Sequence, residues 1–314
     1  MTHTNTKVVI TGAAGLVGQN LVVEMKSQGY TRLVAIDKHQ HNLGILRRLH
    51  PEVEAIDADL ASPGDWRHAF EGAACVVQLQ AQITSKYPDA FVRNNLESTR
   101  QVLDAMREYQ IPYLVHVISS VVNSVADDDY TQTKRAQEKL VAGSGIAHCI
   151  LRPTLMFGWF DPKHLGWLSR FMEKTPIFPI PGNGRFMRQP LYERDFCRCL
   201  IKCIEREPNA AVYNICGDER INYIDIIRTI KRVKGLRTLI LPIPFALFRW
   251  LLRTYSLISR QPPFTVAQLD ALSAGDDFTG IDTWREFGVP QTTFEDAIRE
   301  TFGDSNYSNV VLDL

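Results

Sequence analysis

The chain has 314 residues, 45% hydrophobic and 22% charged, the proportions of a globular protein with room for one large or two modest domains. Its 35 basic residues balance 35 acidic ones, so there is no bulk electrostatic case for nucleic acid and any anion site must be local. The six cysteines are scattered. Cys199 and Cys203 in "DFCRCLIKC" share a helix face, and reduced, buried thiols of a cytoplasmic protein are expected there rather than a metal cluster.

The polar leader has no basic n-region or small-residue cleavage site, so no signal peptide is expected. "VVITGAAGLVGQNLV" then reads as a strand, a glycine-rich turn and an amphipathic helix. Gly12, Gly15 and Gly18 supply a tight turn, close approach to a pyrophosphate and helix-on-strand packing, with phosphates at the N-terminus of the helix that Leu16 and Val17 open. Asp37 ends the second strand, "LVAID", roughly twenty residues after Gly18. A carboxylate there can hydrogen-bond both ribose hydroxyls of NAD and repels a 2′-phosphate, so NAD is expected over NADP, with neighbouring Lys38 weakening that preference. Asp59 and Leu60, after the third strand, either meet the adenine amino group or form a surface turn.

The runs "KVVITG", "RLVAID", "VEAID", "CVVQL", "YLVHVIS" and "AHCILRP" alternate with helical patterns. They are continuously apolar, hence buried on both faces, which predicts an α/β fold: a Rossmann-type doubly wound parallel sheet between helix layers. In "ISSVVNSVADDDYTQTK" (118–134), a helix opening at Tyr130 with Asp127 to Asp129 in its acidic first turn puts Lys134 one turn along the same face. A cation there favours the phenolate; the alternative is an exposed helix start with a solvated lysine. Beside a nicotinamide cofactor, a hydroxyl and a lowered-pKa phenol are what hydride transfer to a carbonyl needs.

After Arg152-Pro153 the regularity stops. The expected division is a dinucleotide-binding domain over 1–153, rejoined by about 189–217, a smaller, mostly helical substrate lobe from 154–188 and 218–303, and a tail over 304–314. "LILPIPFALFRWLLRTYSLI" (239–258) is interrupted by two prolines, Arg249 and Arg253, so no transmembrane span is expected. As a helix from about Pro244 it places Arg249, Arg253, Ser256 and Arg260 on one stripe and Phe245, Phe248, Leu252 and Tyr255 on another. Packing within the lobe is expected, with peripheral membrane or subunit contact as the alternative.

The glycine turn, Asp37, Ser119-Ser120, Tyr130 and Lys134, in this order, make the chain resemble the extended short-chain dehydrogenase/reductases, and within them the NAD-dependent nucleotide-sugar epimerase/dehydratase group, from about residue 7 to 300. "NNLESTRQVLDA" resembles that family's Asn-x-x-Gly-Thr helix, with Asn95 and Thr99 matching and Ser98 in the glycine place. "ILRPTLMFG" resembles the Arg-Pro strand that leads into the substrate lobe, "RFMRQPLYERDF" its Arg-to-Asp segment with Arg188 and Asp195, and "VYNICGDERINYIDII" the closing strand and helix. The resemblance implies that Tyr130 is the general acid/base and that Lys134 holds the nicotinamide ribose and lowers the tyrosine pKa. Ser120, with Ser119 as fallback, would bind the reacting oxygen. NAD would be held by the glycine turn with Leu16 and Val17, by Asp37, Lys38, Asp59, Leu60, Gln80 and Asn95, and by Tyr130 and Lys134. Ser120, Thr154 and Arg188 would touch the substrate.

Departures narrow the chemistry. Val121 and Val122 stand where the 4,6-dehydratases place an Asp-Glu pair, which disfavours dehydration. The loop from Ser120 to Tyr130 is shorter than in the group's epimerases, "QLQA" (78–81) replaces His-Leu-Ala-Ala, and Leu155 stands where several epimerases carry a phosphate-touching Asn. Arg188 either grips a diphosphate or forms a salt bridge with Glu193 or Asp195. The resemblance implies a 4-epimerase of a UDP-hexose or UDP-N-acetylhexosamine acting through a 4-keto intermediate. The other readings are a nucleotide-sugar 4-ketoreductase, an NAD(P)-dependent dehydrogenase of a hydrophobic, sterol-like alcohol with Phe157, Trp159, Phe160, Trp167 and Phe171 lining its pocket, or a cofactor-bound structural subunit. A homodimer is expected, paired through "DAFVRNNLESTRQVLDAMREY" and "YTQTKRAQEKLVAG".

Overall fold

The computed structural model describes residues 3–123, 128–258, 266–275 and 278–313. In chain order the first half runs β1 (Val8–Thr11), α1 (Leu16–Ser27), β2 (Leu33–Asp37), α2 (Gln40–Leu49), β3 (Glu54–Asp57), β4 (Cys75–Gln78), α3 (Pro88–Phe91), α4 (Ser98–Glu108), β5 (Tyr113–Val117), α5 (Asp129–Ala142) and β6 (Ala147–Pro153). The second half runs β7 (Met156–Phe157), α6 (Leu165–Lys174), β8 (Ile177–Pro181), β9 (Met187–Arg188), β10 (Leu191–Tyr192), α7 (Glu193–Arg206), β11 (Ala211–Ile215), β12 (Ile221–Asn222), α8 (Tyr223–Val233), β13 (Leu239–Ile243), α9 (Phe245–Ile258), α10 (Val266–Ala274), α11 (Thr283–Phe287) and α12 (Phe294–Gly303).

Seven strands form one parallel sheet in the order β11-β6-β5-β4-β1-β2-β3. The six apolar runs read from the sequence are β1 to β6, and in the inner strands burial explains the lack of polar alternation, with Val8, Val9, Ile10, Val76, Val77, Leu114 and Val115 all fully enclosed. The edge strand β3, expected to be buried on both faces, is only partly covered, with Glu54 and Asp57 exposed. One face packs on α1, α2 and α7 through Leu21, Met25, Leu46, Phe196 and Leu200; the other packs on α4 and α5 through Val102, Met106 and Val141. The doubly wound architecture is as expected. The strand order reverses between β1 and β4, and a crevice beyond the carboxyl ends of strands at such a point is where this architecture takes its ligand.

A third core, with Leu165, Met172, Phe178, Ile180, Ile227, Phe294 and Ile298, holds α6, β8, α8 and α12 together. A fourth joins Val23 and Ile45 to Trp159, Phe160 and Leu312. The aromatic pocket expected for a hydrophobic alcohol is therefore corrected in part. Phe157, Trp159 and Phe160 are buried core side chains, packed ring against ring with Tyr192, Phe294 and Tyr307 at 4.9–5.6 Å. Trp167 and Phe171 stack on one another at 5.2 Å and are half-buried.

Residues 304–313 pack back on the body. Val311 bridges to Phe160, Leu312 donates its N–H to the Phe160 carbonyl, and Asn42 and Asp313 exchange two hydrogen bonds of 3.1 and 2.9 Å. All six cysteines are buried free thiols. Among the described residues no helix is long and apolar enough to cross a membrane. Asp127, Arg260 and residues 262–265 lie outside the described residues, as do the side chains of Tyr255 and Ser256.

Candidate active site

The glycine turn is built by exclusion. Gly12 has φ +72, and a Cβ on it would lie 2.4 Å from the Gln80 nitrogen, so the β1 turn and the chain leaving β4 can meet only through a glycine. A Cβ on Gly18 would lie 2.4 Å from the Ala13 carbonyl oxygen, which lets α1 sit directly on the turn. At Gly15 the nearest atom would be 3.4 Å away. Gly15 is the N-cap of α1 and offers no side-chain cap, so the first amides of the helix keep their positive end for an anion.

Asp37 closes β2 beside this turn. One carboxylate oxygen accepts from the Ala14 N–H at 3.0 Å and the other from the His39 N–H at 2.9 Å, fixing the acid where a ribose would come. Lys38 donates to Asn94 Oδ1 at 2.6 Å and lies 4.0 Å from Asp59. Burial pushes the Asp59 carboxyl up, but the Ala61 N–H, Arg93 and Lys38 outweigh it and hold Asp59 below its usual range. Arg93 pairs with it at 2.7 Å. The Leu60 side chain belongs to the sheet core, so only its backbone is available to an adenine. Gln80 accepts from Thr11 Oγ1 at 2.6 Å, while its buried Nε2 has no partner. This unspent donor beside Gly12, the open helix end and the Asp37 carboxylate are a donor and acceptor set that fits the pyrophosphate and ribose of a dinucleotide.

Helices α3 and α4 are joined by a π-helical turn, Val92–Glu97, a distortion that recurs at functional sites. It carries Asn95, fully buried, whose Oδ1 accepts from the Gln82 N–H at 2.7 Å and whose Nδ2 donates to Thr133 Oγ1 at 3.2 Å. Asn95 thus ties the loop after β4 to α5. Asp128 caps α5, accepting from the Thr131 N–H at 2.7 Å, so the helix opens at Asp129, one residue before the Tyr130 start expected from the residue pattern.

Tyr130 lies between Phe91, its ring centroid 6.5 Å away, and the Ser119 hydroxyl, which hydrogen-bonds the phenol. The fallback serine, not Ser120, is the one placed on Tyr130. Ser120 begins the 3-10 turn Ser120–Asn123, and a one-residue change of register across that turn decides which hydroxyl faces the phenol.

The expectation that Lys134 lowers the tyrosine is corrected. Burial first, and then Asp128, hold the phenol above its ordinary 10, against the opposing pull of the Ser119 hydrogen bond. Lys134 is fully buried and donates to Gln137 Oε1 at 2.9 Å. Burial brings its own pKa from 10.5 down to about 7, so near neutrality it carries only part of a charge with which to act on Tyr130.

Beneath Lys134 is a buried polar cluster that the residue pattern did not reveal. Gln137 Nε2 and Gln78 Nε2 both donate to Thr99 Oγ1, at 2.9 and 2.8 Å. Nearby His116 on β5 is fully buried with neither ring nitrogen hydrogen-bonded; burial, then Lys134 and His148, keep it neutral, well below 6.5. The readable signal was the inward face of α5, where Thr131, Thr133, Lys134 and Gln137 are all polar. Such a face is unusual unless its members satisfy one another.

Thr154 follows directly on β6, and its buried hydroxyl has no hydrogen-bond partner. Arg188 is half-buried on β9, where it pairs in register with Ile221. Asp195 gives its carboxylate to Thr292 and Arg198. Neither Glu193 oxygen has a hydrogen-bond partner, and burial, then Asp161, push that carboxyl well above its usual range.

The chain is 23% identical over 244 residues to a ceramide reductase of Caulobacter vibrioides, covering 76% of this chain and 73% of that protein. It is also 23% identical over 260 residues, 75% of each chain, to a 4-hydroxy-2-methyl-3-oxo-4-farnesyl-3,4-dihydroquinoline-1-oxide ketoreductase of Stigmatella aurantiaca. The fold is similar to that of a UDP-glucose 4-epimerase from Thermotoga maritima solved with UDP-glucose, at a TM-score of 0.74 and 15% identity over 95% of this chain and 98% of that one. The model of the NAD dependent epimerase/dehydratase family matches residues 8–216, which include the glycine turn, Asp37, Asn95, Tyr130 and Lys134; the chain belongs to that family.

Proposed function

We propose that this NAD-dependent enzyme exchanges hydride with a secondary alcohol or ketone, with Tyr130 as the proton donor and acceptor. The observation that carries the reading is the Ser119–Tyr130 pair at the mouth of α5. A phenol held above 10 is protonated at neutral pH, ready to give its proton to a carbonyl oxygen as that oxygen gains negative charge. When bound, the nicotinamide supplies or accepts the hydride. The Ser119 hydroxyl orients the phenol and steadies the developing oxyanion. The open end of α1, with Asp37 and Gln80, would hold the dinucleotide. Lys134 would hold its nicotinamide ribose.

The substrate class we favour is a ketone or alcohol borne on an apolar, lipid-like molecule. The support is the names of the ceramide reductase and the farnesyl-quinoline ketoreductase, together with Leu155 at the position where several epimerases of the resembling group carry a phosphate-touching Asn. A second reading, 4-epimerisation of a UDP-hexose or UDP-N-acetylhexosamine through a 4-keto intermediate, is supported by likeness to the UDP-glucose epimerase along almost the whole chain. One pair of assays separates them. NADH consumption is followed with detergent-dispersed long-chain ketones, and the anomeric proton NMR signals of UDP-glucose and UDP-N-acetylglucosamine are followed without added cofactor. Ketone-dependent consumption abolished by Tyr130→Phe supports the first; a C4-epimer signal with no ketone turnover replaces it by the second.

A further inference from the structure

The lobe carries an outward apolar surface that its core does not use. Strands β8 and β13 pair in parallel with Ile177 opposite Leu239 and Pro179 opposite Leu241. The alternate residues Phe178 and Ile180 are buried in the lobe core, so the other side of this two-stranded sheet should be polar if it faced only water. Instead Ile177 is 45% exposed, Leu239 58% and Leu241 42%. Helix α9 follows β13 directly, anchored by Phe245 against Phe186. Leu247, Trp250 and Leu251, spaced along one stripe of it, are 47%, 58% and 42% exposed. Nearly half of the exposed large apolar side chains among the described residues belong to these two consecutive elements and their partner strand.

Charge distinguishes the occupant. Residues 226–269 hold eight Lys and Arg and no Asp or Glu, in a chain whose totals balance at 35 and 35. At the junction of β13 and α9, Arg185 and Arg228 line an open cleft of 540 Å³ together with Pro242, Ile243 and Pro244. Four of the eight are paired with acids outside the run: Lys234 with Glu173 in a partly buried pair, and Arg228, Arg232 and Arg249 with Asp225, Glu295 and Asp270 at the surface. Such surface pairs are weak and readily exchanged for other anions. A second copy docked face to face across a twofold axis would set this basic run against itself. A bilayer with anionic headgroups satisfies both components at once, taking the tryptophan and leucines at the acyl boundary and the arginines at the phosphates.

We propose that the outer face of β8, β13 and α9 docks this protein on an anionic membrane surface, without spanning it. The proposal does not depend on the substrate reading, because lipid binding and turnover are separate readouts. The test is co-sedimentation of the full chain with phosphatidylglycerol/phosphatidylcholine vesicles and with phosphatidylcholine vesicles alone. Expected results are pelleting with the anionic vesicles, release by salt, and a blue shift of tryptophan emission on binding. Leu247→Ser/Trp250→Ser should lower partitioning by on the order of tenfold or more. Arg237→Glu, at an exposed position, should lower it on anionic vesicles only; both variants should keep the wild-type melting temperature. Wild-type protein left in the supernatant, or a Leu247→Ser/Trp250→Ser variant that pellets normally while folded, overturns the proposal. So does a change of oligomeric state in that variant by light scattering, which would assign the face to a second copy.

Discussion

Lys134→Met should make the cofactor-free protein more stable while removing its activity. In the folded chain the ammonium is fully enclosed with one partner, Gln137 Oε1 at 2.9 Å, and its pKa falls from 10.5 to about 7. At about 1.4 kcal/mol per unit, a buried charge there costs on the order of 5 kcal/mol near pH 7. Methionine removes that cost but strands the Gln137 carbonyl, which returns ~1–3 kcal/mol, so a net gain of roughly 2–4 kcal/mol is expected. The pH dependence is the sharper check. Between pH 7 and 10.5 the folded chain binds fewer protons at this site than the unfolded chain, so wild-type stability rises with pH across that window. From pH 7 to pH 9 the advantage of the methionine variant should shrink by about 2 kcal/mol. Urea unfolding of both proteins at a series of pH values measures it. A gap that stays constant with pH, or a variant less stable than wild type at pH 7, would refute the reasoning.

Three further outcomes follow from neighbouring residues. Tyr130→Phe should lower the rate at least a hundredfold, and Ser119→Ala should cost more in kcat than Ser120→Ala; steady-state kinetics on the single variants checks the choice of hydroxyl, and the reverse order would return the role to Ser120. Gly18→Ala must move the Ala13 backbone, since its Cβ would lie 2.4 Å from the carbonyl oxygen. A loss of about 1–3 kcal/mol in unfolding free energy and at least tenfold weaker NAD binding by calorimetry are expected. Glu193 is raised well above 4.5 in the folded chain, so its protonated form contributes stability that is complete below pH 4.5 and is lost as pH rises toward the folded pKa, at up to about 1.4 kcal/mol per unit. Glu193→Gln should therefore be neutral at pH 4 and stabilising at pH 8; equal melting temperatures for the two proteins at both pH values would show the buried carboxyl to be ionised or solvated.

The sheet was legible because burial on both faces leaves an unbroken apolar run, as in Val8 to Ile10 or Tyr113 to Val117. The cofactor turn was legible because glycine is the one residue that tolerates a backbone neighbour at 2.4 Å. The start of α5 was legible from Asp128, Tyr130 and the helical spacing. What stayed hidden depends on three-dimensional neighbours. Ser119 and Ser120 are adjacent and chemically identical, and only the 3-10 turn that begins at Ser120 separates their directions. The direction of the Tyr130 shift depends on its burial and on the desolvation of Lys134, neither of which helical spacing reports. Phe157, Trp159 and Phe160 have the composition of an apolar pocket, yet they meet Tyr192, Phe294 and Tyr307, far away in the chain. On α9, the stripes centred on Arg249 and Phe248 were visible, while the Leu247–Trp250–Leu251 stripe stands out only once the body is seen to cover another side.

The clasp between Asn42 and Asp313 spans 271 positions, and it orders events on the ribosome. Until Tyr307 and Leu312 have been made, the outer surfaces of α1 and α2 at Val23 and Ile45 lack their cover, even though β1 to β6 are already complete. The nascent Rossmann half therefore emerges with a sticky flank, a natural landing place for a chaperone. Closing the segment around Tyr307 and Leu312 over α1 and α2 joins positions 271 residues apart, a long-range and hence slow step.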